Sequence, residues 1–376
     1  MFYLERLFLN NFRNYTELQI NFHPRLNIIC GMNGQGKTNL LEAVFFLSVT
    51  RSFRTNRDLE LAGFPGHYFY IKGQFVKDGF KPLLQISFTD KQLKVIIDNE
   101  RKTRFDHLQQ FPIVAFSPDD LLLIREGPAT RRRFINLEAS RLNKIYFMEM
   151  RAYHRVLLQR NRLLKEKKNR LAMDKLLEPW NDSLVEHGSK VIRYRKEVVN
   201  LLATEAAPFF SGMTGGQDEL SLEYICSVAD VGNCSDLEQQ FREALFKKRE
   251  LETKRQTTVV GPHLDDLSII INGRDSRKYS SQGQKRTAAL ALKMAEATIL
   301  YQQNRTWPIL LFDDVFSEFD RQRKEQLLDF LSGIDSQCFL TSAVELEHLP
   351  AELTTCYKRI NIHRGMISDE EDGSGC

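Results

Sequence analysis

Apolar and polar residues alternate along the first part of the chain and then change to a helical period. Alternation over residues 3–9 and 17–22 predicts half-buried strands, and the continuous apolar run Leu26–Cys30 predicts a fully buried strand. From Asn39 onward the apolar residues fall on one broad helical face. A strand, a glycine-rich loop and a helix therefore follow one another near the start of the chain.

A second pattern covers residues 131–252, where apolar residues recur at helical spacing and glycine and proline are sparse. This segment predicts an inserted helical lobe. The fold class is therefore α/β, with one lobe built from residues 1–130 and 253–376 and the other from 131–252. The further predicted elements are strands at 83–88, 93–97, 267–271 and 308–312, a hairpin turn at Asn272-Gly273, and helices at 287–301 and 321–331.

The composition is that of an ordinary folded protein. Of 376 residues, 42% are hydrophobic and 27% are charged, and the net charge of +4 alone indicates no particular partner. Six scattered cysteines without C-x-x-C pairs argue against disulfide frameworks and zinc sites. The chain shows no signal peptide and no apolar run of membrane-spanning length, so we expect a cytoplasmic protein without a membrane partner. Only the acidic tail from Asp369 to Cys376 is expected to be loose.

The loop after the buried strand has the pattern G-x-x-x-x-G-K-[ST]. Between a strand and a helix this pattern is typical of a phosphate-binding loop, because its glycines let backbone N–H groups point at a phosphate and the helix N-terminus adds its dipole. We expect Lys37 to neutralise phosphate charge during catalysis and Thr38 to bind Mg²⁺. The candidate nucleotide-binding residues are Gly31, Met32, Asn33, Gly34, Gln35, Gly36, Lys37 and Thr38.

Two acidic residues follow the apolar strand predicted at 308–312. Asp313 is expected to hold Mg²⁺, and Asp314 is expected to act as the general base toward the attacking water. An apolar strand that ends in an acidic turn is common by itself, but downstream of a phosphate loop it is the expected Walker B partner. The two motifs together predict ATP and Mg²⁺ as the cofactors. Aspartate is shorter than glutamate, so we expect slow ATP turnover.

A third segment, Ser280 to Arg286, precedes the helix predicted at 287–301. One interpretation is structural, with a serine as the helix N-cap. The other is functional, because the segment resembles the signature motif of ABC ATPases, whose hydroxyl and backbone amides bind the γ-phosphate held by a second protomer. This interpretation implies dimerisation on ATP binding. Its candidate ATP contacts are Ser281, Gln282, Gly283 and Gln284.

In the order and the residues of further motifs, the sequence resembles the RecF family of bacterial DNA-repair ATPases along nearly the whole chain. The residues that carry the resemblance are Asn11-Phe12-Arg13-Asn14-Tyr15, Arg51-Ser52-Phe53-Arg54-Thr55, Phe116-Ser117-Pro118-Asp119-Asp120-Leu121, Gly127-Pro128, Arg131-Arg132-Arg133-Phe134, Gly261-Pro262-His263-Leu264-Asp265-Asp266, Ser281-Gln282-Gly283-Gln284 and Asp313-Asp314-Val315-Phe316-Ser317-Glu318. The resemblance implies an ABC-type ATPase head, similar to that of chromosome-maintenance proteins, with an inserted helical arm.

The same resemblance implies a function in recombinational repair and replication restart. Members of the family form ATP-driven dimers on duplex DNA next to single-stranded gaps, with RecO and RecR as partners, and assist recombinase loading in connection with the SOS response. Three departures from related sequences stand out. The family-type Ser-Glu-Leu-Asp turn is Ser317-Glu318-Phe319-Asp320 here, and Phe339–Ala343 lacks the switch histidine of many ABC proteins. The segment 116–121 also contains no glutamine that could serve as the usual sensor.

A basic stretch lies within the predicted helical lobe. It is either a solvated helix face or a track for DNA phosphates, and the near absence of acidic residues at i+4 favours the second interpretation. No sequence-reading DNA motif is present, so we expect binding that depends on DNA structure and salt. The residues of the stretch are Arg151, Arg155, Arg160, Arg162, Lys165, Lys167, Lys168 and Arg170, with Arg54, Arg131, Arg132 and Arg133 as further candidates.

Three rival functions share part of the motif set. The nucleotide-binding subunit of an ABC transporter would have the same three ATP motifs, but the arginine-rich insertion and the missing histidine argue against it. A long-armed chromosome-organising ATPase needs a longer coiled coil than the interval from Thr38 to Ser281 allows. A phosphotransferase without a DNA function would not need the signature segment.

Overall fold

The computed structural model describes residues 1–55, 57–63, 66–103, 107–166, 170–228, 237–315, 321–342 and 357–373. Its strands are β1 Phe2–Phe12, β2 Tyr15–Asn21, β3 Leu26–Cys30, β4 Phe69–Lys77, β5 Leu83–Thr89, β6 Gln92–Ile97, β7 Glu100–Lys102, β8 Ile113–Phe116, β9 Leu220–Ile225, β10 Asp266–Ile271, β11 Arg274–Asp275, β12 Ile309–Phe312, β13 Cys338–Ser342, β14 Tyr357–His363 and β15 Met366–Gly373. Its α-helices are α1 Lys37–Val49, α2 Leu122–Arg125, α3 Pro128–Leu142, α4 Lys144–Leu164, α5 Arg170–Met213, α6 Leu237–Arg255, α7 Ser276–Tyr279, α8 Gln282–Asn304 and α9 Arg321–Ser332.

The chain divides into two compact units. The first comprises Met1–Leu121, Phe209–Gly216 and Thr287–Cys376, and the second comprises Leu122–Pro208 and Gln217–Arg286. The domain boundaries predicted near residues 130 and 252 differ from the ends of these units. The division into functional lobes at those positions stays a prediction.

One sheet of the first unit is mostly parallel, and the predicted nucleotide-binding motifs follow two of its strands. Its strand order is β15-β14-β3-β13-β12-β8, and only β15 runs antiparallel to its neighbour. Strands β3, β12 and β13 are buried along their whole length, which explains their continuous apolar sequences. Because these strands are parallel, the residues after β3 and β12 emerge at the same edge of the sheet.

The other sheet of the first unit is antiparallel, with the order β2-β1-β4-β5-β6-β7. Side chains along β4 alternate between buried and half-buried positions, as expected for a sheet with one face in the core. Helix α1 packs on the buried face, where Phe46 lies 5.5 Å from Phe69, ring centre to ring centre, in an edge-to-face contact. Phe12 of β1 meets the same ring at 5.5 Å. This aromatic cluster holds α1, and with it the start of the phosphate loop helix, against the sheet.

The second unit contains helices α2, α3, α4, α6 and α7, most of α5, and a three-stranded antiparallel sheet of order β11-β10-β9. The hairpin turn predicted at Asn272-Gly273 is confirmed, since both residues have positive φ, 52° and 72°, between β10 and β11. The helical lobe predicted at 131–252 also contains a strand, β9, that its helical pattern does not predict. Leu220, Leu222 and Tyr224 are buried there and pair with β10, because the segment alternates with a period of two residues.

The acidic tail differs from expectation as well. Residues from Met366 to Gly373 form β15, which pairs with β14 from Tyr357 to His363; residues 374–376 lie outside the described ranges. Backbone hydrogen bonds of the ladder order this strand although its side chains are acidic. Over the ranges that the structure describes, no helix is both long and apolar enough to cross a membrane.

Candidate functional site

The phosphate loop connects β3 to α1, as the sequence predicts. Gly31 has a φ of 150°, and a Cβ placed there would lie 2.5 Å from the carbonyl oxygen of Ile362 in β14. Gly36 has a φ of 120°, and a Cβ would lie 2.7 Å from the side chain of Asn14. Both positions therefore require glycine. Between them, Met32, Asn33 and Gly34 are exposed at the loop surface and Gln35 is half-buried.

Lys37 is the first residue of α1, and its side chain turns back over the loop. The residue is 5% exposed, and its ammonium group donates to the carbonyl oxygens of Gly31 at 2.6 Å and Met32 at 3.2 Å. An ammonium group has three N–H donors, so these two bonds leave a third for a phosphate oxygen. The loop thus holds its only lysine at the helix N-terminus, where the helix dipole already favours an anion.

The carboxylate of Asp313 lies at the centre of the site. Its Oδ1 atom accepts hydrogen bonds from the hydroxyls of Thr38, at 2.9 Å, and Thr341, at 3.1 Å. Burial raises the pKa of the Asp313 carboxyl, and the two hydroxyl donors oppose this by stabilising the charged form. A hydroxyl beside a carboxylate provides the hard oxygen ligands that Mg²⁺ prefers. The pair Thr38 and Asp313 therefore fits the metal that the sequence predicts.

Asp314 follows in a left-handed conformation with a φ of 54°. Its backbone N–H donates to the hydroxyl of Thr341 at 2.8 Å, so one threonine of β13 holds both acidic residues. The residue is half-buried, unlike Asp313, which is 8% exposed. The two acidic residues therefore differ in exposure, with Asp313 buried and Asp314 half-buried. The following turn, Ser317–Asp320, lies outside the described residues, as does Ala343.

Two further segments, for which the sequence indicates no individual role, hold the loop in place. From the β1–β2 turn, the side chain of Asn14 donates to the Gln35 carbonyl at 3.1 Å and the Tyr15 hydroxyl donates to the Gly36 carbonyl at 2.9 Å. From the β14–β15 turn, the backbone N–H of Arg364 donates to the Gln35 side chain at 2.7 Å. The Asn11–Tyr15 motif was the only available sequence signal for this support.

A buried carboxylate on α1 organises a third neighbouring segment. Glu42 is 0% exposed and forms a two-pronged ion pair with Arg13, with N–O distances of 2.7 and 2.8 Å. The Ser52 hydroxyl also donates to Glu42. Arg54, a further candidate for DNA contact, is exposed, donates to Asn39 at 2.9 Å and lies 3.8 Å from Glu42. Its contact with DNA stays a prediction. This arginine supports the surroundings of the phosphate loop.

The signature segment forms a reciprocal capping arrangement at the start of α8. The Gln284 backbone N–H donates to the Ser281 hydroxyl at 3.1 Å, and the Ser281 N–H donates to the Gln284 side chain at 3.0 Å. The structural interpretation, a serine N-cap, is thus confirmed. Ser281 and Gln282 are exposed and Gly283 is half-buried, so the segment is accessible to a ligand. These residues belong to the second compact unit.

The basic stretch divides into buried and exposed members. Arg160 is 2% exposed and pairs with Glu252 at 2.6 Å, and Arg131 pairs with Asp266 at 2.7 Å. Arg132 donates to the carbonyl of Asp265 at 2.8 Å. Arg160 and Arg131 are buried in ion pairs within the second unit, so the expectation that these two face DNA was wrong. Arg132 is half-buried, and its contact with DNA stays a prediction. The exposed members are Arg133, Arg151, Arg155, Arg162 and Lys165; Lys167, Lys168 and the Arg170 side chain lie outside the described part.

Comparisons with known proteins agree with this architecture. A family model described as an AAA domain matches residues 6–258. The DNA replication and repair protein RecF of Bacillus mycoides (strain KBAB4) is 35% identical over 376 residues, which cover 98% of this chain and 99% of that protein.

Solved structures show the same similarity. A structure of the recombination mediator protein RecF with ATP, from the RecFOR pathway, has 34% sequence identity and a TM-score of 0.90 and covers 98% of both chains. The Smc head domain of Pyrococcus furiosus, bound to the C-terminal domain of ScpA, has 17% identity, a TM-score of 0.55 and coverage of 99% and 96%, and shows the fold alone. The similarity extends over the full length of the chain and favours a DNA-repair ATPase over a transporter subunit. The chain belongs to the RecF family of DNA replication and repair proteins and has the ABC-type ATPase fold of that family.

Proposed function

We propose that this chain is a slow, DNA-associated ATPase whose phosphate loop binds ATP together with Mg²⁺. The observation that carries the proposal is the 2.9 Å hydrogen bond between Thr38 and Asp313, residues 275 positions apart. It joins the two ATP motifs at one edge of the parallel sheet. Backbone N–H groups of residues 31–36 and the Lys37 ammonium group would bind the phosphates, and Thr38 and Asp313 would hold the metal ion.

Asp314 is the proposed general base. When bound, Mg²⁺ supplies positive charge that offsets the negative charge of the phosphates. Thr341 positions the Asp314 backbone, and the carboxylate of this half-buried residue would contact the attacking water. An aspartate reaches less far than a glutamate, and this reach limits its contact with that water. Turnover should be slow, which suits a timed clamp on DNA better than a motor.

The proposed active form is a dimer with two shared ATP molecules. Each would be bound by Lys37 and Thr38 of one protomer and by Ser281 and Gly283 of the other. Ser281 is exposed at the start of a 23-residue helix, and a hydroxyl that accepts the capping bond keeps its proton for donation to a γ-phosphate. Gln282 and Gln284 would lie beside this contact. Arg125 donates to the side chain of Gln282, and the side chain of Gln284 donates to Asp218 at 3.0 Å.

The proposed DNA contacts are the exposed cations of the second unit, chiefly Arg151, Arg155 and Arg162 on α4 and Lys165 directly after it. We propose that these residues bind the phosphates of duplex DNA at gaps, in a pathway with RecO and RecR, as the relative's RecFOR pathway indicates. Recombinase loading, replication restart and the SOS response follow from family membership as parts of the same proposal. A protein with this substrate would act in the cytoplasm. The head at 1–130 and 253–376 and the arm at 131–252 are the corresponding functional lobes.

Light scattering with and without ATP tests the dimer. The wild-type chain should double its mass on ATP addition, Lys37→Ala should remain a monomer, and Asp314→Asn should stay dimeric because it retains ATP. Unchanged dimer formation by Lys37→Ala would contradict the proposed ATP site. A normal hydrolysis rate in Asp314→Asn would remove Asp314 from the role of base.

A further inference from the structure

The antiparallel sheet of the first unit presents a second face that the ATP site does not use. In β4, Phe69, Ile71 and Phe75 are buried, whereas Tyr70 and Lys72 point to the opposite face and are half-buried. The strand register aligns the outward residues of neighbouring strands. We call this surface the outer face and define it by Arg6, Phe8, Tyr70, Lys72, Lys94 and Arg101.

Aromatic side chains lie at the middle of the outer face. Phe8 of β1 and Tyr70 of β4 meet with ring centres 6.0 Å apart and planes at 61°. The Tyr70 hydroxyl donates to the side chain of Gln85 on β5 at 2.8 Å, which fixes the ring orientation. The solvent side of an antiparallel sheet is ordinarily polar. A held pair of aromatic rings at its centre instead offers a surface for stacking.

Cations surround the two rings. Lys72 is directly opposite Phe8, and Lys94 is directly opposite Ser87, itself the partner of Tyr70. Arg6 and Lys94 are exposed. Of the nearby carboxylates, Glu5 pairs with Lys81 at 2.7 Å, and Glu17 points outward from β2. The four cations of the outer face therefore outnumber its acidic groups.

We propose that the outer face binds single-stranded DNA, with bases stacked on Phe8 and Tyr70 and phosphates bound by Arg6, Lys72, Lys94 and Arg101. Only unpaired bases can stack on side chains of a sheet, and stacking combined with a cationic surface is the usual mode of single-strand binding. Six strands span about 24 Å, which is enough for several nucleotides. The identity of the ligand as DNA rests on the proposed function. The residues of the outer face are shared neither with the ATP site nor with α4.

Two independent variants test the outer face by fluorescence anisotropy with a labelled oligothymidine of about 20 nucleotides. The double variant Lys72→Gln, Lys94→Gln should bind about tenfold more weakly and should lower the slope of log K against log salt by about 1.4, or about 0.7 per phosphate contact. Tyr70→Leu should also lose about tenfold through stacking. The matched control, Lys247→Gln with Lys248→Gln, removes the same charge from the exposed surface of α6 and should bind like the wild type.

Circular dichroism melting of each variant separates loss of binding from loss of folding, and blunt duplex DNA and ATP-driven dimerisation are measured on the same samples. Retained duplex binding and dimerisation with lost oligothymidine binding support the outer face. Unchanged oligothymidine binding in the folded variants overturns it and leaves a protein partner as the occupant. Equal loss of duplex and oligothymidine binding overturns the single-strand preference. Failure of the wild type to dimerise with ATP would refute the proposed function and not the outer face.

Discussion

We predict that the β14–β15 turn contributes to ATP binding because it supports the phosphate loop, and a single methyl group can test this. Gly365 donates its N–H to the Gln35 carbonyl at 2.9 Å, and Arg364 donates to the Gln35 side chain at 2.7 Å. Gly365 has a φ of 73°, and a Cβ there would lie 2.6 Å from the backbone oxygen of Asn14. In Gly365→Ala the turn must therefore move away from the phosphate loop.

The magnitude follows from two contributions. A residue with a Cβ in the left-handed region costs about 1–2 kcal/mol. Displacement of the turn weakens two hydrogen bonds to Gln35, at about 1 kcal/mol each. The sum is about 3 kcal/mol, part of which lowers the free energy of unfolding. If half of this free energy is lost from ATP binding through the displaced loop, the affinity for ATP falls about tenfold, because about 1.4 kcal/mol corresponds to one factor of ten.

Titration with a fluorescent ATP analogue measures the affinity, and thermal unfolding measures the stability. Gly79→Ala is the matched control, since its φ is 84° and, among the atoms that the structure describes, none lies within 4 Å of a Cβ at that position. The control should lose stability through the backbone alone and bind ATP normally. If Gly365→Ala binds ATP as well as Gly79→Ala does, the turn does not position the loop.

Further predictions concern the second unit and a half-buried acid of the first unit. Ser281→Ala should cost about 1 kcal/mol of stability through the lost helix cap and should abolish ATP-driven dimerisation in light scattering while monomeric ATP binding persists. Arg160→Met should lower the free energy of unfolding by about 3–5 kcal/mol, because it leaves Glu252 buried without its ion-pair partner. Arg155→Gln should leave stability unchanged and weaken duplex binding, and the slope of log K against log salt should become smaller by about 0.9. Burial raises the pKa of the Asp120 carboxyl to about 6, so the folded state takes up a proton between pH 7 and 5 that the unfolded state does not, and stability should rise as the pH falls through this range. Asp120→Asn should remove this pH dependence in urea unfolding; a persistent dependence would assign it to another group.

Arginines on one helix can be exposed or buried in an ion pair, and helix α4 shows why the sequence alone does not distinguish the two. Arg155 and Arg160 are five positions apart on α4, which places them about 140° apart around the helix. Arg155 is exposed, whereas Arg160 meets Glu252 from α6, 92 positions away. The missing acid at i+4 was a correct observation, but the acidic partner comes from another helix. Local spacing therefore overestimated the cationic surface.

The sequence by itself determined the features that depend on short-range patterns. Apolar runs marked β3 and β12, the glycine spacing marked the phosphate loop, and a serine before a run of helix formers marked the cap of α8. Each is encoded within a few residues, because hydrophobic period, positive φ and capping are local properties. β9 was missed because its alternation covers only Leu220–Ile225 within a long helical stretch.

Only the tertiary structure decided which distant residues meet. Thr341 holds both acidic residues of the ATP site, the β14–β15 turn supports Gln35, and the acidic tail is a strand because β14 offers it a backbone partner. The first two contacts join a side chain to a partner 27 to 329 positions away in the chain, where no local pattern can signal it. The third depends on backbone position and not on side-chain type. The sequence therefore identified the chemical groups of the ATP site, and the parallel sheet brought them within reach of one another.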